Sequence, residues 1–195
     1  MTKILRYKER YQQIVIPQMK EEFHLHNVHQ IPKITKVIIN TGVGKMITGI
    51  KNEEEMINKL SLEIAKITGQ KPQIREAKKS ISSFKLREGM PIGLKVTLRG
   101  RRMEDFIDKF INATLPRIRD FWGIPLKNID EHGNLNYGIK DYSVFPEVSK
   151  EQIAYNLGLE ITFVVNTHSR EKAIRLYELL GFPLNKEVKK ESKKK

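Results

Sequence analysis

The chain has 195 residues, 39 % of them hydrophobic and 30 % charged, and its formal net charge of +13 points to a polyanionic partner such as nucleic acid. The absence of cysteine excludes disulfides, thiolate metal sites and cysteine catalysis. No apolar run approaches the roughly 18 residues that span a bilayer, and residues 1–10 lack a signal-peptide pattern, so we expect a cytoplasmic protein with no membrane partner.

Most of the positive charge lies in two segments. Residues 71–102 contain ten basic and two acidic residues, interleaved with apolar side chains, which is typical of a folded element with one charged face. We predict that this segment contacts nucleic acid. Residues 186–195 contain six lysines, two glutamates and a single apolar residue. Because such a segment buries too little apolar surface to offset its ordering entropy, we predict a disordered basic tail over 185–195, with a solubilising role or loose phosphate contacts.

The first part of the chain predicts a helix, a strand and a second helix. Apolar residues recur every four positions over 7–23, which indicates a helix that Pro17 kinks or splits. Residues 34–41 are rich in β-branched side chains and alternate in polarity, which predicts a strand. Asn52, followed by three glutamates, resembles a capping box, and the helix that it begins is predicted to end at Gly69.

The basic segment itself predicts two strands joined by a loop. The strands are expected over 73–77 and 91–99, and residues 78–90 between them form an extended basic loop. Alternation in the second strand places its leucines and valine on one face and Lys95 and Thr97 on the other. This segment therefore combines a buried face with a polar face that a nucleic acid can approach.

The remaining elements complete the prediction of fold class. Apolar spacing indicates helices over 103–116 and 169–181, and a strand over 159–165, while 133–144 indicates a hairpin or loop. Helices that alternate with non-adjacent strands are typical of a two-layer α+β fold. We predict one domain over 1–184.

Patterns that would support an enzyme or a metal site are incomplete. Residues 41–45 resemble part of a phosphate-binding loop, but Ile39 and Met46 stand where that pattern needs a glycine and a hydroxyl. No regular structure would direct the neighbouring histidines His24, His26 and His29 at one point, and no nucleophile motif occurs. We therefore predict no metal, no cofactor, no catalytic residue and no small-molecule substrate.

Short motifs in a fixed order carry a resemblance to a known family. They are I-I-N-T-G-V-G at 38–44, T-G-Q-K-P at 68–72, K-S at 79–80, F-K-L-R-E-G at 84–89, P-I-G-L-K-V-T-L-R-G at 91–100, P-R-I-R-D-F at 116–121 and F-P at 182–183. Over residues 3–184 the chain resembles the bacterial-type large-subunit ribosomal protein L5 family.

The resemblance implies a mainly antiparallel sheet with helices packed on one side. It implies a structural constituent of the large ribosomal subunit that binds 5S rRNA and 23S rRNA in the central protuberance, contacts the P-site tRNA through a basic loop, and helps to bridge to a head protein of the small subunit. By motif, the positions implied to contact 5S rRNA are Asn40, Gln70, Lys71, Thr97 and Arg99. The implied tRNA-facing loop contributes Lys78, Lys79, Ser80, Ser82, Ser83, Phe84, Lys85 and Arg87.

The chemistry of these side chains is compatible with RNA binding. Asn40 and Gln70 each offer a donor and an acceptor, Thr97 is small enough to let RNA approach the sheet, and Arg99 can fork onto a phosphate. A side chain such as Asn40 can equally cap the turn that follows its strand. The sequence departs from the family at Met90, where many relatives have an aromatic residue.

A second departure is Trp122, which stands where a basic residue is common. We expect Trp122 and its neighbour Phe121 to be core or interface aromatics rather than a stacking platform. Two alternatives to a ribosomal role stay open at this point. A ribosome-independent RNA-binding regulator would share the charge pattern, and a phosphoryl-transfer enzyme would instead bind nucleotide.

Overall fold

A computed structural model describes residues 5–47, 52–84, 86–148 and 157–185 of the chain. Its helices are α1 (Tyr7–Arg10), α2 (Ile16–Glu22), α3 (Gly44–Ile47), α4 (Glu53–Thr68), α5 (Gly100–Lys109) and α6 (Arg170–Leu180). Its strands are β1 (Ile34–Gly42), β2 (Gln73–Glu76), β3 (Pro91–Leu98), β4 (Ile124–Pro125), β5 (Leu135–Ile139), β6 (Leu159–Val165) and β7 (Leu184–Asn185).

A five-stranded sheet in the order β2-β3-β1-β6-β5 organises the molecule. Every neighbouring pair in it is antiparallel. The central strand β1 pairs on both sides, so that Ile39 lies opposite Val96 of β3 and Ile161 of β6. The two short strands β4 and β7 form a separate parallel pair.

The hydrophobic core lies between one face of this sheet and the helices. Ile39, Val96, Ile161 and Phe163 point into it from the strands and are at most 1 % exposed. The helices contribute apolar stripes at helical spacing, such as Met103, Phe106 and Ile107 of α5, which are also buried. These residues belong to one continuous cluster. The predicted α+β fold, with an antiparallel sheet and helices on one side, is confirmed.

The N-terminal helical segment is not split at Pro17. A π-helical turn at Tyr11–Val15 connects α1 to α2, and the amide of Ile16 donates to the Tyr11 carbonyl oxygen, five residues earlier. Proline lacks an amide proton, and its ring clashes with the carbonyl four residues before it in a regular helix. The wider π turn makes room for that ring, so the chain stays helical through the proline.

The predicted capping box at the start of α4 is wrong. The Asn52 side chain caps no backbone amide; its Nδ2 instead donates to Glu55 Oε2 at 3.3 Å. The hydrogen bond and positive charge of Lys59 lower the pKa of Glu55. At its other end, α4 stops at Gly69 as predicted, because Gly69 adopts a left-handed φ of 67° that glycine accommodates without strain.

The remaining elements follow the prediction with local differences. The 133–144 region contains the edge strand β5 and, after it, a 3-10 turn at Tyr142–Val144. Asn185, the first residue of the predicted tail, is the last residue of β7. The rest of that tail lies outside the described residues. The boundary of the single predicted domain stays a prediction.

Candidate nucleic-acid interface

The face of the sheet opposite the core carries mainly polar and charged side chains. In the described part of the chain the helices pack on the other side, and their buried hydrophobic residues join the core cluster. We call this surface the open face. It is formed by Lys36, Ile38, Asn40, Gln73, Arg75, Lys95, Thr97, Asn136, Glu160 and Thr162.

Strand register brings the predicted residues Asn40 and Thr97 together. Asn40 lies directly opposite Lys95 of β3 and Glu160 of β6, and Thr97 lies two residues further along β3. Diagonal neighbours of this kind are about 7–8 Å apart. Asn40 is exposed, and its side chain forms no hydrogen bond with any residue in the described ranges. The turn-capping interpretation of Asn40 is therefore not supported.

The end of α4 places Gln70 beside Thr97. The Thr68 hydroxyl donates to the Ile64 carbonyl oxygen and lies 2.9 Å from the Gln70 carbonyl oxygen, which tightens the turn after the helix. The Gln70 amide nitrogen Nε2 donates to the Thr97 carbonyl oxygen at 3.4 Å, and its Oε1 accepts from Arg102 at 3.4 Å. The amide of Gln70 is thus oriented at the end of β3.

The two predicted cations, Lys71 and Arg99, flank this cluster. Lys71 is exposed in the segment between α4 and β2, and Arg99 is exposed directly after β3, at the start of α5. Neither forms an ion pair within the described ranges. The structure therefore brings Asn40 and Thr97 onto the same face of two adjacent strands and Gln70 against Thr97, with Lys71 next to Gln70 in the sequence and Arg99 directly after β3.

The set of residues predicted to contact 5S rRNA left out cations that share the same face. Lys95 lies between Asn40 of β1 and Gln73 of β2, and Arg75 and Lys36 extend the positive surface along the neighbouring strands. The alternation that identified Thr97 also places Lys95 on this face, so this signal was present in the sequence. Glu160 is the acidic residue of the open face, and the surface is positive overall.

The predicted basic loop forms a hairpin arm, defined here as residues 77–90. The Ala77 amide donates to the Met90 carbonyl oxygen at 2.8 Å, and the Gly89 amide returns a bond to the Ala77 carbonyl oxygen at 3.0 Å. Further out, Ile81 and Leu86 exchange both backbone hydrogen bonds, at 3.0 and 3.1 Å. A 3-10 turn at Ser82–Phe84 forms the tip. The arm therefore has more structure than the extended loop that was predicted.

Polar residues of the arm point to solvent. The Ser80 hydroxyl also accepts from the Glu88 amide at 2.9 Å, which ties the two sides of the arm. The side chain of Phe84 and the whole of Lys85 lie outside the described residues. The exposed members of the predicted set are Lys78, Lys79, Ser80, Ser82, Ser83 and Arg87.

An open groove of about 1080 Å³ runs along the edge strand β2 to the base of the arm. Ile74 and Ile81 line it and are 42 % and 43 % exposed, which is high for isoleucine. Lys78 and Lys79 lie at its margin. Met90 is half-buried and packs against the core, so it does not offer the exposed surface that stacking at the base of the arm would need.

The alternatives of an enzyme or a metal site gain no support from the geometry. The Thr41 hydroxyl is buried and donates to the Gly158 carbonyl oxygen at 2.7 Å, so it does not face a phosphate in the manner of a nucleotide-binding loop. Within the described ranges, no three histidine or acidic side chains converge as metal ligands would. In those same ranges, each helix is too short or too polar to cross a membrane.

Two family models match the chain. Residues 27–87 match "Ribosomal protein L5", and residues 91–184 match "ribosomal L5P family C-terminus". The chain belongs to the ribosomal protein L5 family. It is accordingly a structural, non-enzymatic constituent of the large ribosomal subunit. Family membership removes the phosphoryl-transfer alternative and associates the chain with the ribosome.

Similar proteins cover nearly the whole chain. The large ribosomal subunit protein uL5 of Halothermothrix orenii is 44 % identical over 177 residues, which are 91 % of this chain and 97 % of that protein. The protein of the same name from Thermotoga maritima is 44 % identical over 92 % of this chain and 95 % of its own length. That of Dehalococcoides mccartyi is 46 % identical over 94 % of this chain and its own entire length.

Proposed function

We propose that this chain binds 5S rRNA with the open face of its sheet. The observation that carries the proposal is the convergence of an unpaired amide, a hydroxyl, a second oriented amide and flanking cations on a surface that the described helices leave uncovered. The residues proposed to make the contact are Asn40, Gln70, Lys71, Thr97 and Arg99, and we add Lys95 because of its position between β1 and β2.

The chemistry of the open face suits a folded RNA better than a regular duplex that is recognised by its base sequence. Amide side chains pair with base edges and 2′-hydroxyls, and cations contact phosphates. A flat sheet with a small residue at Thr97 allows the RNA backbone to approach closely. The acidic Glu160, beside Asn40, would repel phosphate and so limits the orientations in which an RNA strand can lie.

We further propose that the arm contacts the P-site tRNA. Its cations extend away from the core on a narrow hairpin, which suits a partner that is bound and released repeatedly. The residues proposed for this contact are Lys78, Lys79, Ser80, Ser82, Ser83, Phe84, Lys85 and Arg87. As a member of its family the chain is also proposed to contact 23S rRNA in the central protuberance, to help bridge to a small-subunit head protein, and to act in the cytoplasm.

The direct test is capture of 5S rRNA from total RNA by the purified full-length chain. Asn40→Ala and Thr97→Arg should each weaken capture by about tenfold or more, since each removes or blocks a contact worth at least about 1.4 kcal/mol. The matched control is Leu62→Arg, which adds the same side chain to the exposed side of α4, where Leu62 is 64 % exposed. Full 5S capture by both open-face variants would contradict the proposal.

A further inference from the structure

Trp122 is displayed on the surface. Its side chain is 84 % exposed, the highest value among the large apolar residues described, and it is the only tryptophan in the chain. Its neighbour Phe121 is half-buried and packs edge-to-face on Tyr137 of β5, with ring centroids 6.4 Å apart. Of the core or interface role predicted for Trp122, this exposure contradicts the core role, and the interface role stays a prediction.

The turn around Trp122 is anchored on both sides. Asp120 has a left-handed φ of 52° and Gly123 a φ of 100°. A side chain at Gly123 would come within 3.1 Å of the Pro183 carbonyl oxygen, and the amide of the buried Ile124 donates to the same oxygen at 2.7 Å. A non-glycine residue in the left-handed region costs of order 1–3 kcal/mol, and such strain clusters at binding sites.

The surroundings of Trp122 are positively charged. Arg117 and Arg119 are exposed, and neither forms an ion pair with a residue in the described ranges. Lys127 is exposed a few residues later. The pairing of Ile124 with Leu184 brings β7 alongside this turn. Asp120 is the one acidic residue among positions 115–127.

We propose that Trp122 is a stacking platform for an unpaired nucleotide of an RNA strand, with Arg117 and Arg119 binding the adjacent phosphates. An exposed aromatic side chain beside unpaired cations is the combination that binds single-stranded RNA, because bases stack on the ring and phosphates neutralise the charge. A protein partner would have to place carboxylates against the two guanidinium groups while covering the indole, whereas every nucleotide of an RNA strand offers both a base and a phosphate.

This site is separate from the residues of the open face that are proposed to bind 5S rRNA. Phe121 packs on β5, which is the edge strand opposite β2, and β5 is three strands away from β3. Three strand spacings correspond to roughly 14 Å. The Trp122 site therefore adds a second RNA contact to the proposed function and does not require that the open face binds 5S rRNA.

Trp122 provides its own readout, since the tryptophan fluorescence of the chain comes from this single indole. The full-length protein is titrated with a ten-nucleotide oligoadenylate and, separately, with a ten-base-pair RNA duplex. We expect the single strand to quench the fluorescence and the duplex to leave it nearly unchanged. In parallel, binding of the labelled single strand is followed by anisotropy. Trp122→Ala should weaken it by about 5- to 150-fold, the range measured for loss of one stacked base, and Trp122→Phe by much less.

Arg117→Ala combined with Arg119→Ala should reduce the salt dependence of the same interaction, whereas Lys66→Ala, which removes an exposed charge from α4, should not. Equal quenching by duplex and single strand, or equal affinity of Trp122→Ala and the unmodified chain, would overturn the proposal. Capture of 5S rRNA is measured on the same variants. Normal capture with no stacking signal rejects the Trp122 site alone, and a stacking signal without capture rejects only the 5S proposal.

Discussion

The open face and the arm both carry basic residues, but the packing that holds these residues in place differs. On the open face, Asn40, Lys95 and Thr97 occupy the two central strands, and the residues that alternate with them are buried in the core. In the arm, Lys78, Lys79 and Arg87 are exposed, and a few backbone hydrogen bonds close the hairpin. The first surface holds its side chains at fixed spacings. The second presents its charge on a segment with little packing of its own.

This difference separates two kinds of recognition. A fixed array of amides, hydroxyl and cations favours one RNA surface, because any mismatch leaves polar groups unpaired. Cations on a weakly packed hairpin can follow a partner that changes position, because phosphate contacts need little geometric precision. Segments with few buried contacts also open at low free energy. We therefore expect the sheet to be the permanent anchor and the arm to make the reversible contact.

The largest effect should come from removing the support beneath the open face. Phe163 of β6 is fully buried on the core side of the sheet, against Phe110 and Phe182 at ring-centroid distances of 5.2 and 5.1 Å. Phe163→Ala should lower the free energy of unfolding by about 3–5 kcal/mol in urea denaturation. Ser83→Ala at the tip of the arm should change it by less than about 0.5 kcal/mol. Similar losses for both variants would show that the arm shares the support of the sheet.

Replacing Lys78, Lys79, Lys85 and Arg87 by alanine should separate the two surfaces functionally. Ribosomes that carry this variant should retain 5S rRNA but release P-site tRNA about tenfold faster, equivalent to about 1.4 kcal/mol, because the arm loses its phosphate contacts. The control is a variant with the three lysines changed to arginine, which keeps the charge. If 5S occupancy fell while tRNA release stayed normal, the arm would be an rRNA anchor instead.

Salt dependence should sharpen the assignment of individual cations. We expect the affinity for 5S rRNA to fall steeply as salt rises, because bound phosphates release their counterions. Lys95→Ala should reduce the slope of log K against log salt by about 1. Lys66→Ala, on the exposed surface of α4, should leave the slope unchanged. Both slopes can be measured by filter binding, and an unchanged slope for Lys95→Ala would remove that residue from the interface.

The smallest effect is expected from the lysine-rich tail. Its six lysines are accompanied by a single apolar residue, so their phosphate contacts should be interchangeable. Deleting residues 186–195 should lower RNA affinity by no more than about threefold, and equally for 5S rRNA and an unrelated RNA of the same length. A loss confined to 5S rRNA in a gel-shift comparison would assign the tail a specific site.

Elements with strong periodicity and local end signals could be predicted from the sequence. Alternation defined β1 and β3, and Ser169 caps α6 as its sequence indicated, since its hydroxyl accepts from the Lys172 amide at 3.4 Å. The π turn before Pro17 and the parallel β4–β7 pair were not predicted. Both depend on contacts that no short pattern encodes: room for a proline ring, and the meeting of two-residue strands 60 positions apart.

The candidate site was predictable to the extent that strand alternation determines it. Asn40 and Thr97 fall on the open face because side chains alternate along a strand. Lys95 follows the same rule, although it was left out of the residues predicted to contact 5S rRNA. The position of Gln70 against Thr97 depends instead on how α4 packs, which the sequence does not specify locally. Trp122 is exposed on a turn with left-handed backbone at Asp120 and Gly123, and this was not predicted because a tryptophan in an apolar context is more often buried.

The central position of β1 also has a consequence for the timing of synthesis. One edge of β1 pairs with β3, which ends at Leu98, but the other edge pairs with β6, which begins only at Leu159. A nascent chain shorter than this leaves that edge of β1 open and lacks Glu160, the cross-strand neighbour of Asn40. Long-range pairing of this kind closes late in folding. The RNA-facing surface is therefore completed only when most of the polypeptide has been translated.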